Sequence, residues 1–304
     1  MDAKTAFKNG IARLRDANVA SYTLAAELLL LHVVGRDRTW LYAHPEDEIT
    51  AEQEERFFSL VGRRAAGEPT QYLTCKQEFW GLEFEVTPDV LIPRPETEHV
   101  IEVALDRLAL REIRAGRKQT LSGEGLRIAD IGTGAGCIAV ALAKDLPGAR
   151  ILATDISPSA LDVARKNAER HSFGDRIDFV RANLLEGTSA EARFDLIASN
   201  PPYIGHREGP TLQREVREHE PELALYGGEE GYELYAALVT QSAAHLIAGG
   251  IVVLEMGHDS LPAVQPLFDT PEWAHVGVTN DLAGIPRVIA AERTAHVGTV
   301  PNRA

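Results

Sequence analysis

Asn200-Pro201-Pro202-Tyr203 is the stretch of this chain best equipped to handle a small planar group. It follows the run Phe194 to Ser199, which is short, rich in apolar residues and closed by prolines, the pattern of a buried strand ending at a loop. Two consecutive prolines lack backbone N–H groups and have nearly fixed φ, and Pro201 also pushes Asn200 out of the helical region. The loop is therefore stiff, with free carbonyl oxygens, an amide at its head and an aromatic ring at its tail. Such a set suits a planar group carrying an NH2. The Asn200 side-chain oxygen and the Pro201 carbonyl can each accept one N–H, and the Tyr203 ring can lie against one face. A proline-capped strand end without chemistry carries the same residues, so the reading depends on a second site upstream.

That second site is Asp130-Ile131-Gly132-Thr133-Gly134-Ala135-Gly136, at the end of an earlier apolar run. Glycines let a ligand approach the backbone closely, and the helix that follows presents free N–H groups. The spacing is G-x-G-x-G, not the G-x-G-x-x-G of dinucleotide folds. Asp155 closes the next strand about twenty residues on, where a carboxylate can hold two ribose hydroxyls. Asn183 and Leu184 follow the third strand, where a contact to adenine falls. Asp130 itself reads as a structural acid at a strand end.

The elements that must position these residues alternate strand and helix from Leu126 onward. Strands are expected over Leu126–Ile131, Arg150–Asp155, Ile177–Val180, Phe194–Ser199, Gly250–Glu255, Ala274–Val278 and Arg287–Ala291. Helices are expected over Ile138–Leu146, Pro158–His171, Gly231–Ile247 and near Leu261–Phe268. This alternation implies an α/β fold, a mostly parallel sheet with helices on both faces. Before it, Phe7, Ile11 and Leu14 recur at helical spacing, and Leu24–Val34 is a second helix ended by Gly35. Asp37 can cap a short helix through Trp40 and Leu41, and Thr50 with Gln53 forms a capping-box pattern. Glu78–Val86 alternates like a hairpin turning at Gly81, and Glu96-Thr97 opens a helix to about Ala115. Arg94 and Glu96 read equally as a local ion pair or as ligand contacts. Gly116–Gly125 reads as a mobile loop and the tail after Arg293 as frayed.

Of 304 residues, 44% are apolar, enough for a sizeable core, and the formal net charge is -14. That balance disfavours a nucleic-acid substrate, because phosphate neutralisation dominates such binding. The two cysteines, Cys75 and Cys137, provide neither a metal-site spacing nor a disulfide framework. Met1-Asp2-Ala3-Lys4 leads into a polar amphipathic segment and no apolar run reaches membrane-spanning length, so a cytoplasmic protein is expected.

The glycine turn, the acid on strand two and Asn-Pro-Pro-Tyr after strand four together resemble a class I S-adenosylmethionine-dependent methyltransferase acting on a planar nitrogen. Further stretches narrow this: Gly67-Glu68-Pro69, Tyr72-Leu73, Glu78-Phe79-Trp80-Gly81, Leu91-Ile92-Pro93-Arg94-Pro95-Glu96-Thr97-Glu98 and Asp281-Leu282-Ala283-Gly284. With these, nearly the whole chain is similar to the peptide chain release factor N5-glutamine methyltransferase family. The chain departs from that family's usual pattern at Thr74-Cys75, where a glycine is usual, at Asn183, where an acid is usual, at Leu184, often an aromatic, and at Ile285-Pro286.

The resemblance implies a Rossmann-like methyltransferase with a small helical N-terminal domain. The expected division is a helical substrate-recognition domain over 1–75, a β-hairpin linker over 76–95 and the methyltransferase domain over 96–304. It implies S-adenosylmethionine as cofactor, released as S-adenosylhomocysteine, bound by Gly132, Thr133, Gly134, Ala135, Gly136, Asp155, Asn183, Leu184 and Asn200. Asn200, Pro201, Pro202 and Tyr203 would hold the substrate, with Asn200, Pro201 and Tyr203 catalytic and no metal. The implied substrate is the glutamine of the Gly-Gly-Gln loop in class I release factors, methylated on its amide nitrogen. No nucleic-acid substrate, no membrane and a monomeric enzyme are expected. The alternatives are a ribosomal-protein glutamine methyltransferase, an adenine N6-methyltransferase, which needs an extruded base and a basic track, and a non-catalytic cofactor-binding protein.

Overall fold

The computed structural model of the protein describes residues 1–116 and 122–295. Residues 117–121 of the expected loop and 296–304 of the expected tail lie outside them. In chain order the elements begin with α1 (Ala3–Asp16), α2 (Tyr22–Val34), α3 (Arg38–Ala43), α4 (Ala51–Ala65) and α5 (Thr70–Thr74). A hairpin, β1 (Lys76–Phe79) and β2 (Leu82–Glu85), and α6 (Glu98–Arg114) come next. Then follow β3 (Arg127–Ile131), α7 (Cys137–Asp145), β4 (Arg150–Asp155), α8 (Pro158–Arg170), β5 (Ile177–Arg181) and β6 (Phe194–Ser199). The chain closes with β7 (Ile204–Gly205), α9 (Arg214–His219), α10 (Glu222–Leu225), β8 (Tyr226–Gly228), α11 (Glu233–His245), β9 (Leu246–Glu255), α12 (Leu261–Val264), β10 (Trp273–Asn280) and β11 (Pro286–Arg293).

The chain forms two compact units. The first comprises Met1–Gln77, Val86–Pro88 and Thr211–Glu220. Its helices bury Leu14, Leu29, Leu30, Phe57 and Val61 together. Local chemistry sets their ends. The Asp37 carboxylate accepts from the Trp40 amide at 2.8 Å, and Thr50 and Gln53 close a reciprocal capping box at 3.1 and 2.9 Å. The sequence reading missed α5, a single turn of five residues behind Pro69, too short to show a helical period. The residue that caps its C-terminus, Cys75, has φ +57, a conformation that favours glycine and rationalises the glycine usual there in the resembled family. The buried Arg64 pairs with Glu215 of α9 and donates to the Glu68 carbonyl at 3.1 Å.

The second unit comprises Glu78–Glu85, Asp89–Pro210 and Pro221–Ala304. Its seven-stranded sheet has the order β10-β11-β9-β6-β3-β4-β5. The five strands β9, β6, β3, β4 and β5 run parallel, and β11 pairs antiparallel with β9 and β10. Successive residues serve opposite faces, as strand geometry requires. Ile128, Ile151, Leu196 and Val253 pack on one side with α6 and α7, and Ala129, Ile131, Ile197 and Val252 on the other with α11. Phe79 and Phe84 of the β1–β2 hairpin belong to the first of these cores.

All seven expected strands are present. The helix expected over Gly231–Ile247 spans only Glu233–His245, because β9 begins at Leu246. The register then shifts between Phe194 and Leu196 as the chain passes Gly249-Gly250. The short elements between Ile204 and Gly228 were not foreseen. They are held by a two-stranded β7–β8 pairing and tertiary packing rather than by any sequence period. Among the described residues, no helix is long and apolar enough to cross a membrane.

Candidate active site

The parallel strands bring the predicted segments to one edge of the sheet. Ile131 of β3 pairs with Ser199 of β6 and with Thr154 of β4, and Asp155 pairs with Arg181 of β5. The Gly132–Gly136 turn, Asp155, Asn183-Leu184 and Asn200 therefore follow the carboxyl ends of four neighbouring strands. In open α/β sheets that edge is where ligands bind.

The glycine turn is pinned from below by Asp130. This fully buried carboxylate accepts from the Thr133 hydroxyl at 2.6 Å and from the Ala139 amide at 3.1 Å. Burial pushes its pKa up to about 7 against the pull of those two bonds. Gly136 has φ +83 and a Cβ there would meet Ala164 at 3.1 Å, so glycine is required where the turn enters α7. Over Gly132 and Gly134 the space a Cβ would reach is open to 4 Å.

Asp155 touches the same turn. Its Oδ2 accepts from the Gly134 amide and its Oδ1 from the Ser157 amide, both at 2.9 Å. Burial raises its pKa, and those amides pull against the rise. Each carboxylate oxygen keeps a further lone pair for hydroxyl donors. An open glycine cradle, a helix N-terminus and an acceptor-only carboxylate fit a nucleoside ligand with a ribose diol. Asn183 is exposed and donates to Glu186 at 3.1 Å, and Leu184 has φ +54 and packs partly against the core.

The Asn-Pro-Pro-Tyr loop is gripped by three glycines. A Cβ on Gly227 would lie 2.3 Å from the Pro202 carbonyl oxygen, and one on Gly231 would lie 2.4 Å from the Tyr203 carbonyl oxygen. At Gly257 it would meet the Tyr203 ring at 2.9 Å. The Asn200 side-chain nitrogen donates to the Thr97 hydroxyl at 2.9 Å, and among the described residues none donates to its oxygen. Tyr203 donates from its hydroxyl to Glu255 Oε1 at 3.3 Å.

Glu255 ends the apolar strand β9 and is fully buried. Burial pushes its carboxyl up to about 7, while the Arg287 charge and the Tyr203 hydroxyl pull it down. Its Oε2 has no hydrogen-bond partner among the described residues. The Tyr235 hydroxyl donates to the Glu255 carbonyl at 2.8 Å, and Arg287 pairs with Asp281 at 2.9 Å. The charges of Arg94 and Glu96 are felt at Tyr203 and Glu255 respectively.

Sequence reading missed Thr97, Glu255 and the three glycines as parts of this site. One signal was present: an acid closing the otherwise apolar run Ile251-Val252-Val253-Leu254. Among the described residues, no cluster of His, Cys, Asp and Glu gathers to hold a metal ion.

Residues 5–74 match the PrmC N-terminal domain and residues 118–223 the methyltransferase small domain. The release factor glutamine methyltransferase of Koribacter versatilis is 41% identical over 96% of this chain and 99% of its own length. That of Deinococcus radiodurans is 38% identical, with 96% and 99% covered. The catalytic domain of hMettl16, solved in complex with MAT2A 3′UTR hairpin 6, shares the fold at 20% identity and a TM-score of 0.52, covering 76% of this chain and 81% of that one. With relatives of this identity along almost its whole length, the chain belongs to the release factor glutamine methyltransferase family.

Proposed function

We propose that the protein methylates the side-chain amide nitrogen of the glutamine in the Gly-Gly-Gln loop of class I peptide chain release factors, in the cytoplasm, with S-adenosylmethionine as donor. The observation that carries this reading is the commitment of the Asn200 nitrogen to Thr97, which leaves the side-chain oxygen as an acceptor. An amide NH2 offers two donors, and an acceptor pair is what it needs.

The donor would be held by Gly132, Thr133, Gly134, Ala135, Gly136, Asp155, Asn183, Leu184 and Asn200, with Asp155 taking the ribose hydroxyls. S-adenosylmethionine supplies a methyl group already activated by its sulfonium and leaves as the thioether S-adenosylhomocysteine. The acceptor side is harder, because the glutamine nitrogen shares its lone pair with its own carbonyl. Asn200 Oδ1 and the Pro201 carbonyl each accept one amide proton, which raises electron density on nitrogen and aims its lone pair along the transfer line. They also stabilise the positive charge that develops there, and once nitrogen has gained carbon one of its two protons is released to solvent water. Pro202 keeps the loop stiff, and the Tyr203 ring fixes the amide plane and offers its face to the charge. The helical unit serves as a second surface that grips the protein carrying the loop, and such remote binding energy speeds the chemical step.

A labelled-methyl assay on three substrates tests this: an intact release factor, a free Gly-Gly-Gln peptide and unmethylated DNA, with digestion to identify the modified atom. Label is expected on glutamine of the intact factor, far less on the peptide and none on DNA. Label on adenine with the factor untouched would overturn the reading.

A further inference from the structure

We infer that the turn at residues 281–284 is a docking tip, on which Leu282 engages an apolar patch of the release factor beside the loop that carries the glutamine. The inference rests on the reading of a release factor as substrate. It starts from Leu282, which at 101% is the most exposed large apolar residue among those described. Its side chain contributes nothing to the core of its own chain. Single exposed leucines are common on protein surfaces; this one is set apart by the stiffness of its turn and by its place.

The turn is tied to itself on every side. Asp281 Oδ1 accepts from the Ala283 and Ile285 amides, and Oδ2 from Arg287 Nε, all at 2.9 Å. The Asp281 amide donates to the Ile285 carbonyl at 2.8 Å, and the Gly284 amide to the Asp281 carbonyl at 2.9 Å. Gly284 supplies the φ of +80 that the reversal needs, and Pro286 fixes the exit. None of these bonds uses the Leu282 side chain, so the turn does not need leucine to form. An apolar side chain on a backbone already held this way loses little further freedom when a partner covers it.

Sheet topology sets where the tip projects. Because β11 runs antiparallel to β9, its first residues lie beside the last of β9: Val288 pairs with Glu255 and Ile289 with Leu254. Leu254 pairs in turn with Ser199 of β6. The turn before β11 and the Asn200 loop after β6 therefore leave the same edge of the sheet, two strand spacings or roughly 10 Å apart. The base of the turn is also bonded to the site. The Arg287 carbonyl accepts from the Met256 amide at 2.7 Å, and the next residue, Gly257, packs against the Tyr203 ring. A protein–protein interface of ordinary size covers roughly 800 Å² on each partner. A folded protein whose glutamine reaches Asn200 thus extends over Leu282, and a short peptide does not.

The test compares Leu282→Ser and Leu282→Met with the wild type. Measured are kcat/KM for methyl transfer to an intact release factor and to a free Gly-Gly-Gln peptide, the affinity for the intact factor by calorimetry, donor affinity and Tm. Serine should lower kcat/KM for the intact factor about ten-fold or more, the scale of burying one leucine side chain, and weaken factor binding equally. Peptide kinetics, donor affinity and Tm should stay at wild-type values, because the side chain touches nothing in its own chain. Methionine should restore most of the loss. Wild-type kinetics of the serine variant on the intact factor would overturn the inference while leaving the substrate reading standing. Equal losses on factor and peptide, or methionine no better than serine, would overturn it too. If the wild type binds the factor but labels nothing on it, the methylation reading fails, and the binding comparison still decides the role of Leu282. No binding of the factor by the wild type would overturn both.

Discussion

A methyl group on Gly257 would sit 2.9 Å from Cδ2 of the Tyr203 ring, closer than carbon atoms approach one another. The same methyl would meet the Ser260 hydroxyl at 2.8 Å, so it has no free direction. Gly257→Ala should therefore displace the ring rather than be absorbed around it. Overpacking of this kind costs about 1–3 kcal/mol. If that cost falls on the catalytic position of the ring, kcat drops by about ten-fold or more, while calorimetric donor affinity stays at the wild-type value. Unchanged kcat in the alanine variant would show that the ring position does not matter to transfer.

Asp155 holds the glycine turn through Gly134 and is the carboxylate proposed for the ribose. Asp155→Ala should weaken S-adenosylmethionine binding by about ten- to a hundred-fold, corresponding to roughly 1.5–3 kcal/mol for a charged acceptor. Isothermal calorimetry on the folded variant is the measurement, and unchanged affinity would remove Asp155 from the donor site.

Asn200→Ala removes the acceptor at the head of the loop. A fall in kcat of about 10²–10³ is expected, with donor binding nearly intact. Steady-state kinetics separate the possibilities: a raised KM at normal kcat would mean that Asn200 holds substrate without acting on the transition state.

Much of this site was legible because it is local. The glycine turn, Asp155 and Asn-Pro-Pro-Tyr each lie in a few consecutive residues, and strand periodicity alone put them at strand ends. Thr97 was in view within Pro-Arg-Pro-Glu-Thr-Glu, but its partner Asn200 is 103 residues away, a separation no periodicity encodes. Gly227, Gly231 and Gly257 looked like ordinary turn residues, since their role depends on which backbone lies above them. Cys75 and Leu184, noticed as departures from the family pattern, are both at positive φ, a cost invisible without coordinates.

The Glu255 carboxyl gives activity a pH dependence of defined sign. The Tyr203 hydroxyl contacts it, and the charges of Arg287 and Glu96 act on it. Above about 7 it is ionised and accepts from the Tyr203 hydroxyl. Below that value it carries a proton, accepts more weakly and loosens its hold on the Tyr203 ring. Values of kcat should fall as pH falls through about 7, and Glu255→Gln, which does not titrate, should flatten the profile. A wild-type profile identical to that of the glutamine variant would exclude this coupling.

Asp130 affects stability rather than rate. Its folded pKa of about 7 exceeds the ordinary 3.8, so the folded state binds its proton more tightly than the unfolded chain does. The resulting stabilisation is complete below about pH 3.8 and is lost as pH rises through about 7. Asp130→Asn abolishes this titration. Going from about pH 5 to about pH 8 should therefore shift the Tm difference in favour of the variant. A difference that stays constant by calorimetry would mean that Asp130 is ionised throughout.

The pairing of Arg64 with Glu215 makes the helical unit discontinuous along the gene. A clone ending near Gln77 would keep the Arg64 guanidinium but discard its carboxylate partner. The helical unit is thus no simple N-terminal cassette. To graft it onto another scaffold, or express it alone, the segment Thr211–Glu220 must be spliced back to it by a designed linker.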